Sequence, residues 1–362
     1  MARIDAFLEL GRQQGCSDIH FTVGMPPLVR IDGDLSPVQF RSVEADEMRS
    51  MLAEVMDETH RQDFKRRGAV DISYAVAGLG RFRINVLAQQ KGPSAVCRVI
   101  PDKIVPLAKL GLPAMVASLA DLPAGLVLVT GACGTGKSST LAAIVDEINR
   151  RRKVTVLTLE NPIEFLHESN EALVIQREIG THCRTFAEGL RSALRQDPDV
   201  IVVTEMSDEE TIRLALEASE TGHLVLATLH TRGAAPAIDR ILDAFPQSAH
   251  AQIRVTLAEN LRCVLYQELV RAADGRGRRA AVEILTVNPA VSQHIREGRT
   301  FQIASVMATG RRFGMQQMDQ ALLALVRAEE VDPAHAFLLA KDKAEFRPYL
   351  RETEGLELLM EL

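Results

Sequence analysis

The stretch Gly131, Ala132, Cys133, Gly134, Thr135, Gly136, Lys137 and Ser138 satisfies G-x-x-x-x-G-K-[ST], and this pattern constrains the chain more than any other feature. Just before it, Leu126 to Thr130 is a short, apolar, β-branched run of the kind a buried parallel strand requires. After it, Ser138 to Arg150 carries apolar residues at helical spacing. Glycines in such a loop let the backbone turn its N–H groups inward onto phosphate oxygens, and the following helix presents its positive end to the same anion. Lys137 would reach the β- and γ-phosphates and Ser138 would place its hydroxyl on Mg²⁺, with Ser139 beside them at the helix start. The alternative is an ordinary glycine-rich turn between a strand and a helix.

The chain has 362 residues, enough for two domains and a sizeable core. Its texture changes over residues 101–113, where Pro101, Pro106 and Pro113 punctuate a stretch without periodicity, and this is the expected linker. Upstream, Arg3 to Gln13 reads as an amphipathic helix. Asp18 to Leu35 reads as two strands joined by Gly24 to Pro27 and ending in a turn at Asp32 and Gly33, and Gly80 to Ala88 and Ser94 to Ile100 read as two more around a turn at Lys91 to Pro93. A small α/β domain with an antiparallel sheet is expected over residues 1–100. Downstream, apolar strands near 126–130, 154–159, 199–204, 223–229 and 280–285 alternate with helical segments. That alternation predicts an α/β domain with a mostly parallel sheet covered on both faces, a P-loop or RecA-like core spanning 114–288. Residues 289–362 read as helical, with a break between Thr309 and Gly314.

A net charge of -6 gives the chain as a whole no cationic surface for duplex DNA, and no basic stretch interleaves with aromatics, so a DNA translocase is disfavoured and no nucleic-acid partner is expected. No apolar run approaches the ~18 residues that span a bilayer, and the amino terminus lacks a signal-peptide layout, so a cytoplasmic location is expected. Cys16, Cys97, Cys133, Cys183 and Cys263 form no C-x-x-C pair, which argues against a disulfide framework or a zinc site. Cys133, inside the loop, is the candidate for oxidation.

Ligands of open α/β sheets bind at the carboxyl ends of the strands, so residues just past each strand are those that can meet the loop. Glu160, Asn161 and Glu164 follow one strand, Glu205 follows Val200 to Thr204, and His223 and His230 bracket another. An apolar strand ending in Glu205 has the form of a Walker B element, whose carboxylate orients and deprotonates an attacking water or holds the metal through water. Glu205 could instead be the acid that opens the next helix. Glu160 is placed similarly, with a solvated loop acid or helix partner as its alternative. His230 could bond a γ-phosphate or be a satisfied structural histidine.

These residues resemble the hexameric type IV pilus retraction ATPases of the type II/IV secretion ATPase superfamily over nearly the whole chain. Ser17 to Asp34 is similar to the opening of that family's PAS-like domain, Thr158 to Glu164 to its Asp box, Arg195 to Glu205 to its Walker B element, and Thr221 to His230 to its His box. The resemblance implies MgATP hydrolysis by a homohexameric ring whose two domains shift about the linker. It implies Glu205 as general base, Glu160 supporting the metal, and His230 and His223 sensing the γ-phosphate. Arg81, Arg83 and Arg98, read from their spacing as a cationic cluster or a solvated strand face, are by the resemblance arginines that reach the nucleotide across a subunit interface, with Asp34 adding a weaker contact. The implied partners are an inner-membrane pilus platform protein and a paralogous retraction ATPase. The implied location is the cytoplasm, at the inner membrane, with pilin disassembly and twitching motility as the output. Extension ATPases share the core boxes but usually carry a longer amino-terminal region and a four-cysteine metal site. Three positions depart from the pattern beside the chemistry: Asn161 stands for an aspartate, Thr204 for a glycine and Ser207 for an arginine. Ala290 to Glu297 departs from the retraction motif at Ser292, Gln293 and His294, and Val270 to Ala281 is closer to the accessory retraction ATPase. A catalytically weak accessory ring subunit is the second expectation.

Overall fold

The computed structural model describes residues 2–31, 33–100 and 103–350. Asp32 of the expected turn, Pro101 of the expected linker and the last twelve residues of the expected helical region lie outside the described residues. The chain divides into two compact units, Met1–Ile104 with Asn161–His167, and Val105–Glu160 with Glu168–Leu362.

The first unit runs α1 (Asp5–Gln13), β1 (Asp18–Phe21), β2 (Leu28–Ile31), β3 (Asp34–Pro37), α2 (Ala45–Val55), α3 (Glu58–Arg67), β4 (Ala69–Val76), β5 (Gly80–Gln89) and β6 (Gly92–Ile100). The strands form one antiparallel sheet ordered β3-β2-β1-β6-β5-β4. Strand periodicity decides its faces: Phe82, Ile84 and Val86 are fully buried, while Arg81 and Arg83 alternate onto the other side. The buried side packs with Ile4, Leu8, Met48, Met51 and Leu52 of the flanking helical segments. Helix α3 buries none of its residues. The expected helix and four strands are present, and β3, β4, α2 and α3 are additional.

The second unit contains α4 (Met115–Ser118), β7 (Gly125–Thr130), α5 (Lys137–Arg151), β8 (Thr155–Glu160), β9 (Leu173–Glu178), α6 (Phe186–Ala193), β10 (Val200–Val203), α7 (Glu209–Glu220), β11 (Leu224–Leu229), α8 (Ala234–Asp243), α9 (His250–Asn260), β12 (Leu261–Arg271) and β13 (Arg278–Thr286). Helices α10 (Pro289–Arg296), α11 (Ile303–Thr309), α12 (Met318–Arg327) and α13 (Pro333–Leu339) follow. The sheet order is β13-β12-β7-β11-β10-β8-β9, parallel throughout except that β13 runs antiparallel to β12. The mostly parallel α/β fold expected from the sequence is therefore present. Every residue of β7, β10 and β11 is buried, as strands covered on both faces must be.

The sequence reading missed β9 and β12. Strand β9 lies at the sheet edge with no fully buried residue. In β12, Leu261, Val264, Leu265 and Leu269 recur at i, i+3, i+4 and i+8, a helical spacing that tertiary pairing with β7 and β13 overrides. Segment 161–167 groups with the first unit, which interrupts the continuous 114–288 core expected from the sequence.

Two groups, the buried Glu283 and the half-buried His167, make this fold sensitive to mutation and to acid. Glu283, 6% exposed on β13, accepts from Ala234 N at 2.7 Å and from Met318 N at 3.4 Å, closing the starts of α8 and α12 together. Glu283→Ala leaves two buried donors without a partner and is expected to lower the unfolding free energy by about 2–4 kcal/mol, read by denaturant unfolding. Burial holds the His167 imidazole at about 4, below its ordinary 6.5. The unfolded chain therefore takes up this proton first, so the stability tied to a neutral His167 is present above pH 6.5 and lost as pH falls towards 4. His167→Gln should lose less stability than the parent between those pH values, as measured by melting temperature against pH.

Candidate nucleotide site

The site is built where β7 stops. Thr130 pairs with Leu229 in parallel register, so the loop after β7 and the loop after β11 leave the sheet side by side. Thr231 N donates to Thr130 Oγ1 at 3.0 Å, and the two hydroxyls lie 2.6 Å apart, which fixes the turn carrying His230 against the phosphate loop. Gly131, Gly134 and Gly136 adopt φ of 150°, 81° and 86°, a region that side chains rarely enter. A Cβ at Gly131 would sit 2.5 Å from Gln267 O, and one at Gly136 2.8 Å from Gln267 Nε2. The glycines at these two positions are thus required by close approach as well as by dihedral.

Lys137, 8% exposed, opens α5 and donates to Gly131 O at 2.9 Å and Ala132 O at 2.7 Å, with His230 Nδ1 at 3.4 Å from its ammonium. Thr135 Oγ1 donates to Ala132 O at 3.0 Å. Ser138 and Ser139 are half-buried in the first turn of α5, and Cys133 and Gly134 are exposed at the loop tip. Gln267, absent from the sequence reading, bonds the loop from β12: Nε2 donates to Thr135 O at 2.7 Å and Oε1 accepts from Thr140 Oγ1 at 2.7 Å. A polar residue inside the apolar run of β12 is the signal that could have exposed it.

The carboxylates sit along the same strand edge. With strands about 4.8 Å apart, β10 lies about 10 Å and β8 about 14 Å from β7. Glu160, 8% exposed at the end of β8, accepts from Thr158 Oγ1 at 2.7 Å and Gln176 Nε2 at 2.9 Å. Glu205 is half-buried just beyond β10. The helix-start role that competed for Glu205 belongs to Asp208, which accepts from Thr211 N at 2.9 Å and Thr211 Oγ1 at 2.6 Å. Thr204 extends the ladder by donating to Leu159 O, and its carbonyl accepts from Thr228 Oγ1. The only non-glycine residues with positive φ among those described are Asp197 and Glu329, so Thr204 replaces a glycine without backbone strain.

His223 is not at this edge. His223 precedes β11, at the end of the strand about 20 Å from the phosphate loop. Its Nδ1 lies 2.9 Å from Ala218 O and 3.1 Å from Thr221 Oγ1, where it serves the carboxyl end of α7. Within this unit His223 therefore does not face the phosphate loop. In the first unit, Arg83 lies opposite Arg98 in the β5–β6 register. The expected cationic cluster is balanced by acids: Arg83 pairs with Asp71 at 3.1 Å and Arg98 with Asp18 at 2.9 Å, while Arg81 donates to Ser73 Oγ at 2.8 Å. Asp34 is exposed on β3.

The chemistry these residues suit is the binding of a polyphosphate and its metal. Ser138, Glu160 and Glu205 offer hard oxygen donors, as Mg²⁺ prefers. Among the described residues no group of three or more His, Cys, Asp or Glu side chains could hold a metal ion.

A glycine-rich loop joining a central parallel strand to a helix, with a buried lysine and strand-end carboxylates, defines a P-loop nucleotide-binding protein. The family model described as "Type II/IV secretion system protein" matches residues 3–343, and the chain belongs to that family. It is 45% identical over 323 residues to the type IV pilus retraction ATPase PilT of Pseudomonas aeruginosa, covering 89% of this chain and 94% of that protein. To the type IV pilus ATPase PilU of the same organism it is 36% identical over 327 residues, covering 90% and 86%. The crystal structure of the pilus retraction motor PilT with bound ADP superposes with a TM-score of 0.85 at 39% identity, covering 96% of this chain and 99% of that one.

Gly136→Ala should weaken binding of a fluorescent ADP analogue more than tenfold with an unchanged circular dichroism spectrum. The new Cβ meets Gln267 Nε2 in a left-handed conformation that costs an L-residue about 1–2 kcal/mol before any clash.

Proposed function

We propose that this protein is the motor ATPase of type IV pilus retraction, hydrolysing ATP with Mg²⁺ as a homohexamer. The observation that carries the reading is the phosphate loop closed around Lys137 with His230 beside it. The likeness to a retraction ATPase across nearly the full length of both proteins supports the cellular role. Lys137 and the loop N–H groups hold the β- and γ-phosphates, Ser138 holds the metal, and Glu160 steadies it through water. Bound Mg²⁺ would neutralise charge developing on the transferring phosphoryl group. Glu205 orients the attacking water and takes its proton, and His230 contacts the γ-phosphate.

Arg81, Arg83 and Arg98 reach the nucleotide of a neighbouring subunit, and Asp34 adds a weaker contact. Hydrolysis moves the two domains about the 101–113 linker. The ring works in the cytoplasm beneath an inner-membrane platform protein, consistent with the absence, among the described residues, of a helix long and apolar enough to cross a membrane. Asn161, which removes a carboxylate next to Glu160, and the 270–281 segment motivate a second reading, a weak accessory subunit that assists another retraction ATPase.

Steady-state Mg²⁺-dependent ATP hydrolysis separates the two. Turnover should exceed that of Glu205→Gln by about 100-fold or more, the scale of a lost general base, and Lys137→Ala should fall to the same floor. Turnover no higher than either variant, with nucleotide still bound, would establish the accessory reading instead.

A further inference from the structure

We propose that Gln267 is a positioning residue for the phosphate loop and sets its affinity for nucleotide; the inference rests on the nucleotide-binding reading above. Strand β12 is longer than its partner β7. Tyr266 pairs with Thr130, the last residue of β7, so Gln267 is the first residue to overhang and lies directly against the loop. Its side chain is 3% exposed and faces loop and helix at once.

The two bonds it makes have different consequences. A trans peptide is planar, with its C=O and N–H pointing in opposite directions. Because Nε2 of Gln267 holds Thr135 O, the N–H of Gly136 is turned away from β12 and into the concave side of the loop, where phosphate oxygens would lie. The second bond, from Thr140 Oγ1 to Gln267 Oε1, fixes the rotation of α5, while Thr140 N donates to Gly136 O at 3.0 Å. Gln267 thus locks the plane of one peptide and the first turn of the helix into a single unit, and Lys137 and Ser138 lie between the two anchor points.

The amide supplies a donor and an acceptor at one tip, which suits Thr135 O, which can only accept, and the Thr140 hydroxyl, which donates here. Thr135 and Thr140 are 5% and 1% exposed, so water does not readily replace the amide.

The test is a titration of the full-length protein with a fluorescent ADP analogue and Mg²⁺, using the parent, Lys137→Ala, Gln267→Met, Gln267→Glu, Thr140→Val and the double variant Gln267→Met/Thr140→Val. Gln267→Met should weaken binding at least fivefold, and the double variant should be no weaker than Gln267→Met alone, because both substitutions break the same unit. Gln267→Glu sets a carboxylate oxygen against Thr135 O and should bind weakly at pH 8. Its affinity relative to the parent should rise as pH falls to 6, where a buried carboxyl takes a proton and can donate again. Burial alone would also penalise the introduced carboxylate at pH 8, so the distinction from packing rests on Gln267→Met, which keeps the volume and removes both bonds, with its fold checked by circular dichroism. Parent-like affinity of Gln267→Met and Gln267→Glu at every pH, with Lys137→Ala impaired, would overturn the inference alone. A parent that binds no better than Lys137→Ala would overturn the nucleotide reading and the inference with it.

Discussion

The parallel register of β7, β11, β10 and β8 is the constraint on which the rest of the molecule depends. Hydrogen bonding between strands that run the same way brings their carboxyl ends to one edge, and every loop leaving that edge opens on the same side. The phosphate loop, the His230 turn, Glu205 and Glu160 come from segments far apart in the chain, and their proximity needs no contact among themselves. Complete burial of the central strands enforces this arrangement. A slip of one residue would move every side chain to the opposite face of the sheet, into a different core, and would separate Thr130 from Thr231.

Strands β12 and β13 complete the site from the other flank of β7. Neither carries a motif, yet each contributes one buried polar side chain that satisfies backbone elsewhere. Gln267 serves the phosphate loop, and Glu283 serves the helix that follows the His230 turn together with the first turn of α12. An uncompensated amide or carboxylate in an apolar interior is costly, so each is tolerated only because its partners are in place. The same requirement makes the phosphate loop, the His230 turn and the carboxyl-terminal helices interdependent.

Much of this was legible in the sequence because the relevant signals are local. A glycine pattern, an apolar run and a helical period sit next to one another from Leu126 to Arg150, and the fold expected from them is the fold observed. The strand-end rule put His230, Glu160 and Glu205 at the carboxyl ends of their strands, where the structure has them. His223 stands at the opposite end of the sheet from His230, since a histidine before a strand and one after it look alike in a linear pattern. Gln267 was invisible because its role follows from the overhang of β12 past β7, a property of pairing rather than composition, and β12 itself carried a helical spacing. The arginines of β5 and β6 were located correctly, but the acids that balance them, Asp71 and Asp18, come from neighbouring strands that no short motif connects to them.

That balance bears on how such a surface behaves when it meets another. Arg98 is half exposed and held by the buried carboxylate of Asp18, while Arg83, about a third exposed, is held by Asp71 at the surface, a type of pair worth about 0–1 kcal/mol in water. A guanidinium in this setting is already ordered, so moving to a stronger anion exchanges one weak partner for another group without first freezing a loose side chain. The displaced aspartate remains to take the cation back when the anion departs. A contact of the Arg83 pair with a stronger anion would therefore be readily reversed and weakened by salt.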